Sequence, residues 1–70
     1  MSDPVYSISE IVGTSKTSIE DAVQHGIQVA AKTLRNLDWF EVTQIRGRIV
    51  DGGVNQYQVC MKIGLRYESK

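Results

Sequence analysis

A single cysteine excludes an intramolecular disulfide, and a single histidine leaves no C-x-x-C or H-x-x-x-H spacing for a structural metal. Long apolar runs are missing too: none approaches the roughly 20 residues that cross a bilayer as a helix. The N-terminal Met-Ser-Asp-Pro lacks the basic and apolar regions of a secretory signal, so a cytoplasmic protein with a reduced thiol at Cys60 is expected. Neither sign of charge is in excess. Eight Lys and Arg balance eight Asp and Glu, so no net field draws the chain to nucleic acid or to an anionic membrane. Catalytic motifs are equally scarce, with no G-x-S-x-G, P-loop or paired carboxylates. Glu41 and His25 are the only recognisable acid–base candidates, and they fall on different elements, so no enzyme activity is expected.

The 70 residues read as one domain, 1–70. Folding at this length buries only roughly 60% of the surface that the unfolded chain exposes. With disulfide and metal excluded, self-association is the source of extra stability that remains.

What the chain does contain is clear periodicity. After Pro4, "VYSISEIVGTS" alternates Tyr6, Ile8, Glu10 and Val12 with Val5, Ser7, Ser9 and Ile11, the pattern of a strand covered in part on both faces. Small residues in "GTSKTS" then break it. Ser18 is a good N-cap, and Glu20 and Asp21 place negative charge in a first helical turn. Ile19, Ala22, Val23, Gly26, Ile27, Ala30 and Leu34 share one helical face, which predicts an amphipathic helix over about 19 to 36. Gly26 on that stripe costs roughly 1 kcal/mol relative to alanine. Its presence predicts a close approach to another backbone.

Two further strands, about 38 to 50 and 54 to 67, are joined at "DGG". If Gly52 and Gly53 form the loop, Phe40 and Val42 share a face with Tyr57, Val59, Met61, Ile63, Leu65 and Tyr67, the floor for the helix. Trp39, Glu41, Thr43, Ile45 and Ile49 then join Gln58, Cys60, Lys62 and Arg66 on the other face. Gln44, Arg46 and Arg48 fit the core face poorly, and a bulge near Gly47 would turn them outward. The fold class expected is α+β, a β-α-β-β unit with an antiparallel sheet of order 1-3-2. One helix covers one side of such a sheet, so Trp39, Ile45 and Ile49 would mark an interface or a ligand site on the other.

The segments "EIVGTSKTSIEDAV", "LDWFEVTQIRGRI" and "GGVNQYQVCMKIGL" resemble the dodecins, small flavin-binding proteins, over nearly the whole chain. The resemblance implies a hollow homododecamer built from trimers, with flavins bound in stacked pairs at subunit contacts. It makes Trp39 the ring that sandwiches the isoalloxazine, Gln58 the group that hydrogen-bonds its pyrimidine edge, and Arg46 and Arg66 the residues near the phosphate of FMN or coenzyme A. FMN is the expected ligand, riboflavin and FAD the alternatives, and coenzyme A a further candidate. An electron-rich indole stacked on a flavin should quench its excited state, which implies storage and photoprotection, not turnover. The chemistry agrees: an indole stacks on planar heteroaromatics, Gln58 offers both donor and acceptor, and an arginine fork suits phosphate.

Each of these residues also has a plainer reading. A lone tryptophan is most often a packing residue, and Gln58 alone is an ordinary strand residue. Arg46, Arg48 and Arg66 would by default be solvated or paired with Glu41 and Glu68. His25 lies on the polar helix face, and Cys60 reads as a small interface residue. An oligomeric scaffold without a small-molecule ligand explains Ile45 and Ile49 equally well, but gives no reason for Trp39 and Gln58 to share a face. A nucleic-acid binder is disfavoured by neutral charge and a single outward aromatic.

Overall fold

The computed structural model describes residues 3–67. Its elements are β1 (Tyr6–Ser15), α1 (Ile19–Ala30), β2 (Leu37–Val50) and β3 (Gly53–Arg66). They form the expected β-α-β-β unit, and the antiparallel sheet has the order β1-β3-β2. Glu68, named above as a partner for the arginines, lies outside the described residues.

Local chemistry starts the helix. The Ser18 hydroxyl accepts from the Asp21 amide at 3.0 Å, satisfying one donor that the first turn cannot pair internally, an arrangement typically worth ~1 kcal/mol. Behind it, buried Ser15 accepts from the amides of Thr17 (2.9 Å) and Ser18 (3.3 Å) while its hydroxyl donates to Asp21 Oδ2 at 2.7 Å. At the other end the helix stops at Ala30, short of the predicted 36. Tight turns replace it: the amides of Lys32 and Thr33 bond back to the carbonyls of Val29 and Ala30 at 3.1 Å each. Asn36 at φ 62° then swings the chain into β2. Its carbonyl accepts from Arg66 N at 3.0 Å, and its side-chain amide donates to Arg66 O at 3.1 Å.

The core lies between α1 and the two strands beneath it. Ala22, Val59 and Met61 are wholly buried, Ile63 nearly so, and Ile11, Val23 and Ile27 pack around the cluster. The predicted close approach at Gly26 is present: a Cβ there would meet Gly13 Cα at 3.0 Å and Met61 Cε at 2.9 Å. The helix therefore sits down on β1 and β3. It covers little of β2, whose helix-side residues Phe40, Val42, Ile45 and Ile49 are all exposed.

Two details of the hairpin correct the expected register. The loop is Asp51-Gly52, not Gly52-Gly53: Val50 pairs with Gly53, and both loop residues have positive φ, 52° and 77°. A type I′ turn requires this at both central positions, which Asp-Gly satisfies. Farther along, the register slips between Val42 and Gln44. Thr43 is the extra residue, and its hydroxyl donates to Cys60 O at 3.2 Å. This bulge reverses which residues face outward. Gln44, Arg46 and Arg48 turn to the outer face as anticipated, although the bulge lies at Thr43 and not near Gly47. Ile45, paired with Val59, and Ile49 move to the helix side, away from Trp39.

The hairpin turn carries a direct test. Valine at Asp51 would place a β-branched residue at positive φ, a strain of about 1–3 kcal/mol. Asp51→Val should lower the thermal midpoint while Asp51→Asn leaves it close to the parent; equal midpoints for all three would contradict the turn assignment.

Candidate functional site

The outer face of the sheet, opposite the helix, carries all four predicted site residues. They form two groups, not one. The first lies at the start of β2. Trp39 pairs with Gly64, and a Cβ built on that glycine would fall at once on Cε2, Cζ2 and Nε1 of the indole. Near-equal contact with three joined ring atoms means that the ring lies face-down on the β3 backbone. Its other face is turned outward, and the residue is 39% exposed. Strand alternation explains this placement: from Gln56 to Arg66 the even positions of β3 face outward, and position 64 is the one among them without a side chain.

Beside the indole stands Tyr6 of β1, with ring centroids 6.0 Å apart and planes at 64°. The Tyr6 hydroxyl donates to Asp38 Oδ2 at 2.8 Å. Arg66 is the direct cross-strand partner of Tyr6, which places it in this group. Asp38 is left out of the ladder by a register shift between Leu37 and Trp39. The shift frees its side chain from strict alternation.

The Asp38 hydrogen bond raises the Tyr6 hydroxyl above its usual range, with burial and the Asp38 charge acting in the same direction and the Arg66 charge opposing them. The neutral phenol is thus the form that the fold favours. Its stabilising contribution is complete below the ordinary tyrosine pKa of about 10 and is lost as pH rises through the raised value. In an alkaline absorbance titration Tyr6 should ionise late, and Asp38→Asn should bring it earlier. A curve unmoved by that substitution would contradict the assignment.

The second group lies farther along the face. Arg46 is directly opposite Gln58 on one side, and Thr14 is opposite it on the other. Gln58 Nε2 donates to Gln56 Oε1 at 3.1 Å, and Arg48 faces Gln56. Between the groups, Lys62 is flanked by Glu10 and Glu41, and Cys60 by Val12 and Gln44. The thiol donates to Gln44 Oε1 at 3.8 Å.

From Gly64 to Gln58 the strand spans about 20 Å at ~3.3 Å per residue. Trp39 and Gln58 of one chain therefore cannot touch the same three-ring system. The cleft that the indole edge shares with Ile27, Leu37, Asp38, Phe40 and Ile63 is lined mostly from the helix side and holds about 120 Å³, below the roughly 300–1,000 Å³ of typical ligand pockets. His25 stays at the surface, its Nδ1 3.4 Å from Thr14 O. No group of three His, Cys, Asp or Glu among the described residues is placed to hold a metal, and no helix among them is long and apolar enough to cross a membrane.

Tyr6, Asp38 and Gly64 were not singled out from the sequence. Gly64 left a signal: a glycine within a strand marks close approach by another group, and here that group is the indole.

The fold has close counterparts. Residues 5–68 match the family model for Dodecin. A curated dodecin from Thermus thermophilus is 52% identical over 64 residues, covering 91% of this chain and 93% of that protein. The solved dodecin of Streptomyces coelicolor superposes with a TM-score of 0.92 at 48% identity over the whole of both chains. That of Streptomyces davaonensis gives 0.92 at 44% identity, covering 97% of this chain and 100% of its own. With the β-α-β-β topology in place, the sequence matched over residues 5–68 and the structure over the whole chain, the chain belongs to the dodecin family.

Proposed function

We propose that this protein binds a flavin, FMN in preference to riboflavin or FAD, without catalysing a reaction, and that it stores the flavin and protects it from light. The reading is carried by the Trp39 indole, which lies face-down on Gly64 with its outward face available for stacking. Family membership supports it.

Separation of the two groups argues that the site is shared between copies. A flavin stacked on Trp39 of one chain can reach only the Gln58 end of another. The arrangement then supplies an aromatic platform, an amide that matches the alternating C=O and N–H edge of the pyrimidine ring, and arginines for phosphate: Arg46 beside Gln58, Arg66 beside Tyr6. Coenzyme A, with its own phosphates, is a further candidate for the same cations.

A hollow homododecamer built from trimers is the assembly proposed. Phe40, Val42, Ile45 and Ile49 form an exposed apolar row beyond the helix, and beyond β1 the β2–β3 hairpin continues as a two-stranded ribbon. Such ribbons are marginal in isolation. This row also favours the second reading, an oligomeric scaffold without a ligand. Adding FMN, FAD or riboflavin to colourless apoprotein separates the two. Quenched flavin emission and co-elution with the protein are expected, and no binding of any of the three would leave only the scaffold.

The phosphate assignment has its own test. A charge-assisted hydrogen bond is worth about 1.5–3 kcal/mol, so Arg46→Ala should weaken FMN by roughly 10- to 150-fold. Riboflavin affinity should stay within about twofold of the parent. Equal losses for both ligands would mean that Arg46 does not serve the phosphate.

A further inference from the structure

Tyr6 and Trp39 meet although their strands are not neighbours. β3 lies between β1 and β2, which separates the two backbones by about 9–10 Å, twice the ~4.8 Å strand spacing. Gly64 makes the contact feasible, because the indole can cross β3 only where β3 has no side chain. On β1 the residue directly across from Gly64 is Ile8, but Ile8 is more than half exposed, and the ring that meets the indole is that of Tyr6, one row away.

The position of Tyr6 is itself held. Its hydroxyl is tethered at 2.8 Å to Asp38, the residue next to Trp39 and the one that the register shift leaves outside the ladder. A phenol hydrogen-bonded at one end and packed against a ring at the other has little freedom to rotate. Three strand positions thus surround the indole: Gly64 is the floor, Tyr6 the wall, and Asp38 the anchor of that wall.

We propose that Tyr6 is a positioning residue, one that fixes the plane of Trp39 before the ligand arrives so that its outward face is presented already ordered. The inference rests on the flavin reading, since the plane matters only if something stacks on it. Immobilising a side chain on binding carries an entropic cost, and a platform ordered beforehand avoids it. The gain is expected to be a few-fold to about tenfold in affinity.

Trp39 is the sole tryptophan, so its near-ultraviolet circular dichroism and emission anisotropy report on this indole alone. In the assembled apoprotein, Tyr6→Phe keeps the ring and removes the anchor, whereas Tyr6→Ala removes both. Tyr6→Ala should flatten the tryptophan bands, lower the anisotropy and weaken FMN about tenfold. Tyr6→Phe should change each in the same direction, with FMN a few-fold weaker.

Tryptophan signals and FMN affinity within twofold of the parent in both variants would overturn the proposal. So would a loosened indole that binds FMN as the parent does. A purely structural role predicts a lower thermal midpoint with the tryptophan bands intact, which also overturns it. If Tyr6→Ala fails to assemble, Tyr6→Phe decides by the same criteria. If the parent itself binds no flavin, the flavin reading fails, and the apoprotein signals still establish whether Tyr6 holds the indole.

Discussion

Adding one methyl group at Gly13 is expected to cost this protein much of its stability. A Cβ at that position would collide with the carbonyl oxygen of Ala22 and lie 3.2 Å from Met61 Cε. The first obstacle is backbone inside α1, so no rotamer change relieves it; the helix must lift off β1. Ala22 and Met61 are both wholly buried, and lifting the helix opens the core on which they close. Overpacking usually costs 1–3 kcal/mol, and a backbone obstacle puts Gly13→Ala at about the upper end. A domain of this length is stable by roughly 4–10 kcal/mol at 0.05–0.15 kcal/mol per residue.

Other glycines set the scale for that result. At Gly26 the new methyl meets the mobile end of Met61 as well as Gly13 Cα, and alanine gains roughly 1 kcal/mol of helix propensity. Gly26→Ala should therefore do less harm than Gly13→Ala. At Gly53 the nearest atom is Val50 O at 3.9 Å, and Gly53→Ala should stay within about 0.5 kcal/mol of the parent. Thermal midpoints taken at one protein concentration, since association shifts them, should fall in that order. Gly13→Ala melting with Gly53→Ala would refute the packing described.

Much of this arrangement is readable before folding is considered. Ser18 is recognisable as a cap because it precedes an acidic first turn, and Gly26 as a contact because it interrupts an apolar stripe. The end of α1 is less readable: Leu34 continues the helical spacing, yet the chain has left the helix by then and Asn36 holds a positive φ. A periodic pattern does not distinguish a helix from tight turns that keep the same side inward.

Bulges are the larger gap. Assigning Ile45 to the outer face requires unbroken alternation from Trp39, and one extra residue at Thr43 reverses it. What holds the bulge is a hydroxyl bonded to the Cys60 carbonyl on the neighbouring strand, a partner known only once the strands are paired. The same bulge sets Arg46 opposite Gln58. Shared orientation of Trp39 and Gln58 could be read from parity, because the two slips flanking Trp39 and Thr43 do not disturb the outward set of β3. Their separation along the strand follows from counting residues, and it is the reason the proposed site is one shared between copies.

Removing the indole should have the largest effect on binding. Alanine substitutions in stacked base–aromatic contacts cost about 1–3 kcal/mol, so Trp39→Ala should weaken FMN by roughly 5- to 150-fold. Emission should change as well. Electron transfer from the indole is the expected quenching route, and flavin that remains bound to Trp39→Ala should fluoresce. Trp39→Phe separates the two contributions, for phenylalanine keeps an aromatic face to stack on but is a much poorer electron donor; affinity should largely survive while emission partly returns. The fold should tolerate both changes, because Trp39 lies on the sheet surface over Gly64 and takes no part in the Ala22–Val59–Met61 core. Far-ultraviolet circular dichroism and sedimentation would confirm that the assembly is intact. A Trp39→Ala protein that still binds FMN and quenches it as the parent does would place the flavin elsewhere, and the outward indole would then be an interface residue and nothing more.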